Sequence, residues 1–121
     1  MEPRRRRAPR VATPGWAGRC LDEDADEPDW YGCEVIDLSI VGVGLYLYPV
    51  LPLTPAALLD HHVVVHVQPP VGDSISVRLR GRVANASVLR DGAVRVGLEF
   101  VDLSETERQI LRVLELLDVV W

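Results

Sequence analysis

The sequence predicts a mainly β fold, a small antiparallel barrel or sandwich that ends in one α-helix. Several short runs are rich in β-branched and aromatic residues and are separated by turn-forming residues. An Asp91-Gly92 pair marks a tight hairpin, and the hydrophobic period becomes helical near the C-terminus. At 121 residues the chain has the size of one compact domain.

The first part of the chain contains one weak and two convincing candidate strands. Residues 11–17 form the weak candidate because a proline and a glycine interrupt it. The acidic segment 22–29 is predicted to be an exposed loop. Residues 30–38 and 43–48 have the aromatic and β-branched composition of strands, and we expect these two strands to pair with each other.

The middle of the chain is broken by prolines before regular structure resumes. Residues 56–60 have room for one helical turn. A strand is predicted at residues 63–68, and the sequence PPVGD at residues 69–73 predicts a turn.

Two strongly alternating runs follow. Residues 74–89 alternate between apolar and polar side chains, which predicts a long half-buried strand with a bulge or bend at Gly81. The Asp91-Gly92 turn joins this strand to a second alternating run at residues 93–100. We therefore expect these two strands to be antiparallel neighbours.

The last segment of the chain has helical spacing. Ser104 and Glu107 are spaced as in a capping box. Four apolar residues then recur on one helical face: Ile110, Leu111, Leu114 and Leu117. The sequence therefore predicts one amphipathic helix over residues 104–117 that covers an open end of the β structure.

Composition places the chain among soluble globular domains, with 48% hydrophobic and 26% charged residues. No apolar run approaches the roughly 20 residues that span a bilayer, and the N-terminus lacks the apolar segment of a signal peptide. We therefore expect a cytoplasmic protein without membrane insertion. The two cysteines, Cys20 and Cys33, are too few for a disulfide framework and are predicted to be reduced thiols in or near the core, with a bridge between them as the minor alternative.

The net charge of −5 conceals a strong asymmetry along the chain. The first ten residues carry five arginines, at positions 4, 5, 6, 7 and 10, whereas residues 22–29 carry six carboxylates. A block of arginines is typical of a solvated tail, or else of a site for phosphates, nucleic acid or an acidic surface. We predict a flexible arginine-rich arm over residues 1–10 and a single domain over residues 11–121.

Two short segments have the chemistry of a ligand site. Asp37, Ser39 and Gly42 lie where one predicted strand ends and the next begins, although a simple turn is the better explanation of this segment taken alone. Arg6 and Arg10 lie four residues apart, just before the first strand. The planar guanidinium group of arginine binds phosphate oxygens bidentately, donates to the O6 and N7 of guanine and stacks on bases.

Together these segments resemble the PilZ family, whose signature is RxxxR before the domain and [D/N]xSxxG between early strands. Arg6 and Arg10 match the first motif, and Asp37, Ser39 and Gly42 match the second. Residues 96–104, VGLEFVDLS, are similar to the family's last strand and the start of its final helix. The resemblance covers nearly the whole chain.

The resemblance implies a six-stranded antiparallel barrel that binds the bacterial second messenger cyclic di-GMP (c-di-GMP) on its outer face, often as a stacked pair. Arg6 and Arg10, with Arg5 able to help, would contact phosphates and guanine edges. Asp37 would accept from a guanine N–H edge, and Ser39 would hydrogen-bond the base or its phosphate. Gly42 would keep the surface open for the ring.

The chain departs from the family pattern at two places. Family members often carry an aromatic residue shortly after the Gly-Arg-Val of the long strand, where it can stack on a base. Here residues 81–83 are followed by Ala84, Asn85 and Ala86. Asp60-His61-His62 stands where many members have a glycine-containing turn.

No pattern predicts catalysis or a metal site. No histidine is placed beside a candidate serine nucleophile, and His61, His62 and His66 lack further ligands at metal-binding spacing. We expect a receptor or adaptor that changes conformation on binding c-di-GMP and acts through an effector protein. The alternatives are a nucleic-acid-binding small barrel, which the acidic remainder of the chain disfavours, and a PilZ-like interaction domain without ligand.

Overall fold

The computed structural model of the protein describes residues 11–48, 55–68 and 76–120. The predicted arm and the predicted turn at residues 69–73 lie outside these ranges. The elements in chain order are β1 Val11–Asp22, β2 Trp30–Leu38, β3 Gly42–Leu47, α1 Pro55–Leu58, β4 His62–Gln68, β5 Val77–Val88, β6 Val94–Phe100 and α2 Glu105–Val120.

The six strands form a closed antiparallel barrel in the order β1-β2-β3-β6-β5-β4. The predicted pairing of β2 with β3 and of β5 with β6 is confirmed. The barrel closes because β1 pairs with β2 on one side and with β4 on the other. The fold class predicted from the sequence, a mainly β barrel followed by one helix, is therefore confirmed.

Strand β1 is longer than the sequence predicted, because it continues to Asp22 and not only to residue 17. The predicted interruption is present as a shift in the register with β2 between Ala12 and Trp16. Beyond that shift β1 pairs on both edges, for example Cys20 with Tyr31 and with Val65. Hydrogen bonding on both edges holds this segment extended, so Asp22 belongs to the strand and not to the acidic loop.

The irregularity in β5 lies three residues beyond the predicted position. Gly81 pairs regularly with Val63 on one side and Phe100 on the other. The register with β6 shifts between Val83 and Asn85, so Ala84 is the extra residue of a bulge. Close packing explains the glycine instead, since a Cβ atom at Gly81 would lie 3.0 Å from the carbonyl oxygen of Glu99.

The interior of the barrel is filled by the inward-facing residues of all six strands. The largest fully buried side chains are Leu38, Leu45, Leu79, Leu98, Leu111, Val35, Val43, Val65, Val67, Val83, Val94 and Val96. Leu111 and Leu114 of α2 and Leu58 of α1 belong to the same cluster. The apolar face of α2 therefore packs onto the barrel core, as its sequence period predicted.

Both cysteines are free and buried in this core. They lie on adjacent strands, because Cys20 pairs with Tyr31 and Cys33 pairs with Gly18. A hydrogen bond with the Cys33 thiol, together with burial, raises the pKa of Cys20. Cys20 therefore stays a protonated, unreactive thiol at neutral pH.

The start of the acidic loop is held against the beginning of β4 by two histidines. Nδ1 of His61 lies 2.7 Å from Oδ2 of Asp22, and the backbone N–H of His62 donates to Oδ2 of Asp24 at 2.7 Å. The hydrogen bond with Asp22 raises the pKa of His61. The backbone hydrogen bond from His62 lowers the pKa of Asp24.

A third carboxylate of this loop contacts the long strand β5. Nε of Arg80 donates to Oε1 of Glu23 at 2.6 Å, and Nη1 of the same arginine lies 3.4 Å from Oδ2 of Asp102. The first three carboxylates of the acidic run are thus engaged by side chains of β4, β5 and the residue that precedes β4. The loop is fixed at its start while residues 26–29 are exposed.

The capping box predicted at the start of α2 is present. The N–H of Glu107 donates to Oγ of Ser104 at 3.1 Å, and the N–H of Ser104 donates to Oε1 of Glu107 at 2.8 Å. These two bonds satisfy backbone donors that have no partner within the helix. They fix where the helix begins, directly after the last barrel strand.

We predict that Ser104→Ala lowers the free energy of unfolding by about 1 kcal/mol, because the N–H of Glu107 loses its acceptor. Chemical unfolding in urea measures the change. Gln109→Ala, at an exposed position of the same helix, is the matched control and should change stability by less than about 0.5 kcal/mol. Equal losses in both variants would contradict a specific capping role.

We also predict that His61→Gln destabilises the protein more at about pH 5.5 than at about pH 8.5. The folded-state pKa of His61 is raised, so its contribution is full below the unfolded value of 6.5 and disappears as the pH rises through the folded value. Urea unfolding at the two pH values measures the difference. His66→Gln serves as the control, since no carboxylate contacts His66 within the described residues, and a loss for His61→Gln that does not vary with pH would refute the prediction.

Candidate functional site

The turn between β2 and β3 is organised by Ser39, which is fully buried. Its backbone N–H donates to the carbonyl oxygen of Gly42 at 3.0 Å, which closes the turn. Its Oγ accepts hydrogen bonds from the backbone N–H groups of Val41 and Gly42, both at 3.1 Å. The turn interpretation of this segment is therefore correct as a description of its local structure.

Asp37 lies on the outer face of the barrel because of a bulge in β2. Val35 pairs with Leu45 and Asp37 pairs with Gly44, so Ile36 is an extra residue. In a strand without a bulge, residue 37 would continue the inward series of Cys33 and Val35. The bulge turns the carboxylate outward, where Nη2 of Arg95 lies 3.8 Å from Oδ2.

The Asp37 carboxylate lies flat over Gly44 of the neighbouring strand. A Cβ atom at Gly44 would lie 2.9 Å from Oδ1 and 3.1 Å from Cγ of Asp37. A side chain at this position would therefore displace the carboxylate. The absence of a side chain at Gly44 is what allows Asp37 to adopt this position.

Strand β5 repeats the same arrangement from the opposite side. The bulge at Ala84 turns Asn85 outward, where it pairs with Gly97 of β6. A Cβ atom at Gly97 would lie 2.7 Å from both terminal atoms of the Asn85 amide. A second polar side chain thus lies across a second glycine.

Since Gly44 also pairs with Gly97, these four residues form one continuous row across four strands. We call the row Asp37, Gly44, Gly97 and Asn85 the glycine row. Two adjacent glycines form its centre, and an acceptor carboxylate and an amide with both donors and acceptors form its ends. Because the carboxylate and the amide lie flat over the two glycines, the row is a shallow polar platform on the outer face of the barrel.

Salt bridges border this platform on the strand positions next to it. Nη1 of Arg82 donates to Oδ1 of Asp60 at 2.5 Å, and Nη2 lies 3.3 Å from Oε1 of Glu99. Asp60 has a positive φ of 68°, the conformation that glycine adopts most readily. This geometry is compatible with the glycine-containing turn that the family resemblance implies at this point of the chain.

The predicted site residues are therefore only partly located. Asp37, Ser39 and Gly42 come together at the β2–β3 turn, with Gly42 opening β3 opposite Glu99. Arg5, Arg6 and Arg10 lie outside the described residues. Sequence analysis missed the roles of Gly44, Gly97, Asn85 and Arg95. Glycines at outward positions of two alternating strands were the available signal, but only the strand register shows that they are adjacent.

Among residues 11–48, 55–68 and 76–120, no three histidine, cysteine or carboxylate side chains come together as a metal-binding group. No helix in the same ranges is long and apolar enough to cross a membrane.

A protein-family model described as "PilZ domain" matches residues 4–115. The match includes both arginine positions of the RxxxR motif and the whole β2–β3 turn. No curated protein matches the chain in sequence.

Solved structures with the same fold come from several bacteria. The PilZ domain of YcgR from Escherichia coli, solved with c-di-GMP, is 20% identical, with a TM-score of 0.65 over 90% of this chain and 87% of that chain. The MrkH–c-di-GMP complex of K. pneumonia is 16% identical, with a TM-score of 0.68 over 98% of this chain and 53% of that chain.

A third structure, the inhibitor of motility MotI/DgrA of Bacillus subtilis, is 13% identical, with a TM-score of 0.67 over 90% of this chain and 48% of that chain. The present chain thus spans about half of two of these three proteins. At these levels of identity the structural similarity shows a common fold.

Proposed function

This chain belongs to the PilZ domain family, and from that membership we propose that it is a receptor for c-di-GMP. The observation that carries the proposal is the family match over residues 4–115, which takes in Arg6, Arg10, Asp37, Ser39 and Gly42 together. Two solved structures with this fold, the YcgR domain and MrkH, contain c-di-GMP. A binding function also agrees with a site made of a platform and a turn.

The glycine row supplies chemistry that suits a guanine base. Guanine has donors on one edge and the acceptors O6 and N7 on another. We infer that the Asp37 carboxylate accepts from the donor edge, while the lack of side chains at Gly44 and Gly97 keeps the platform low enough for the ring to lie over it. Asn85 lies shortly after the Gly-Arg-Val of β5, in the segment where the family resemblance implies an aromatic residue. Its amide offers hydrogen bonds in place of stacking.

The arginines of the arm supply the positive charge that two phosphates require. We assign Arg6 and Arg10 to the phosphates and guanine edges, with Arg5 as an additional contact. Arginine–phosphate hydrogen bonds are charge-assisted and each contributes on the order of 1.5–3 kcal/mol. Ordering an arm costs roughly 1–2 kcal/mol per residue in backbone entropy. Several such contacts are therefore needed to hold the arm against the barrel.

Ser39 and Gly42 have supporting roles in this proposal. The Ser39 hydroxyl is buried and already engaged with two backbone N–H groups. We therefore expect it to position Asp37 and the turn, and to reach the ligand only if the turn rearranges. The ordered arm changes the outer surface of the barrel, and we propose that an effector protein recognises this change.

Calorimetric titration of the full chain with c-di-GMP tests the proposal. We expect saturable binding in the micromolar range or tighter, abolished by Arg6→Ala and by Arg10→Ala because each removes a phosphate or guanine contact. Asp37→Ala should weaken binding by about tenfold or more, the effect of losing about 1.4 kcal/mol.

Arg90→Ala is the matched control, because Arg90 is exposed on the hairpin between β5 and β6. This variant should bind like the wild type. If the folded wild type fails to bind c-di-GMP, the receptor proposal is wrong. If Arg90→Ala is as defective as the Arg6 variant, the arm has no specific role.

A second prediction concerns the platform. Gly44→Ala should weaken c-di-GMP binding by about tenfold, because the new methyl group displaces the Asp37 carboxylate. Gly32→Ala is the control, since a Cβ atom at Gly32 has no neighbour within 4 Å. Thermal unfolding monitored by circular dichroism establishes that both variants are folded. Unchanged affinity in a folded Gly44→Ala variant would remove the glycine row from the site.

A further inference from the structure

A row of basic side chains crosses the barrel on β1, β4 and β5. Of these strands, only β5 also contributes to the glycine row. Arg19 of β1 pairs with His66 of β4, and His66 pairs with Arg78 of β5. The three residues are therefore aligned on the outer face across adjacent strands, and we call them the cationic row. Arg19 and Arg78 are exposed.

The cationic row differs from most other arginines on the barrel in having no carboxylate partner within residues 11–48, 55–68 and 76–120. Arg80, Arg82 and Arg95 each have a carboxylate partner on the surface. Within the described ranges no carboxylate contacts Arg19 or Arg78. These two arginines therefore offer positive charge that an anionic partner can pair with.

An aromatic ring lies at one side of this row. The Cζ atom of Arg78 is 6.0 Å from the centroid of the Trp30 ring, within the range of a cation–π contact. Trp30 is on β2, so the ring and the guanidinium group meet across β1 and β4. A partially exposed tryptophan beside arginines is a composition that protein interfaces favour.

The surroundings of the row limit the kind of anion that fits. Glu34 of β2 lies one row away, opposite Ala17, and Glu23 and Asp102 lie beside Arg80. The chain as a whole has a net charge of −5. A long phosphate backbone extending past the row would meet these carboxylates, whereas a short acidic segment of a protein would not.

The spacing of the row matches an α-helix. Neighbouring strands are about 4.8 Å apart, so the row places the guanidinium groups of Arg19 and Arg78 about 10 Å apart, with the imidazole of His66 midway between them. Carboxylates at positions i, i+4 and i+7 of a helix rise by about 0, 6 and 10.5 Å along its axis. We propose that the cationic row, with Trp30, docks an acidic helix of a partner protein whose carboxylates follow this spacing.

The test uses the full chain and a defined probe. The probe is an alanine-based helical peptide of about 15 residues with glutamates at i, i+4 and i+7, and its control peptide has glutamines there. Titration into isotopically labelled protein at about 20 mM salt, where surface charges are weakly screened, is followed by NMR. We expect saturable shifts at Arg19, His66, Arg78 and the Trp30 indole with the acidic peptide only.

Charge reversal provides the matched comparison. Arg19→Glu with Arg78→Glu should weaken peptide binding at least about tenfold, whereas Arg90→Glu with Arg112→Glu, the same change at two other exposed arginines, should leave it unchanged. Arg19→Gln with Arg78→Gln repeats the test if reversal disturbs folding. Affinity for c-di-GMP should be the same in all variants, so this proposal and the receptor proposal fail separately.

Three outcomes would overturn the proposal. First, the acidic peptide could cause no saturable shifts at the cationic row. Second, both double charge reversals could weaken peptide binding equally, which would indicate a general charge effect. Alternatively, DNA of about 15 nucleotides could bind the row more tightly than the peptide at the same salt concentration, which would assign the surface to nucleic acid.

Discussion

Closure of the barrel by the pairing of β1 with β4 is the constraint on which the remaining structure depends. Six residue pairs, from Ala17 opposite Gln68 to Asp22 opposite Val63, join the first strand to the fourth. This pairing removes the two free edges that an open six-stranded sheet would have. The same pairing aligns Arg19 with His66 and thereby creates the cationic row. Closure also fixes where the glycine row and the cationic row lie relative to each other on the outer face of the barrel.

The glycine row and the cationic row differ chemically because their side chains are arranged differently on the outer face of the barrel. In the glycine row, the missing side chains leave room for two polar groups to lie flat over the strands. In the cationic row, long side chains project from the sheet with no carboxylate partner among the described residues. The first arrangement suits a flat ligand that requires close approach, and the second suits a partner that brings its own charge. Strand β5 contributes to both, through Asn85 and Arg78.

Much of this architecture followed from periodicity and turn chemistry. Alternation predicted β5 and β6, the Asp91-Gly92 pair predicted their hairpin, and the Ser104–Glu107 spacing predicted the helix cap. Sequence could not show that β1 continues to Asp22, because that depends on partners distant in the chain. It also misplaced the bulge of β5, since a glycine required by close packing looks the same in sequence as one required by a bulge. Neighbours such as Gly44 and Gly97 are defined only by strand register.

The extra residue Ala84 has a consequence for how the length of this strand can vary in evolution. Arg78 and Asn85 both face outward although they are an odd number of positions apart, and only the bulge reconciles them. A single-residue insertion or deletion elsewhere between them would turn one half of the strand inside out. Loss of Ala84 itself would leave a regular strand with both side chains still outside. Changes in the length of β5 among descendants of this chain should therefore be tolerated at Ala84 and removed by selection at the positions on either side of it.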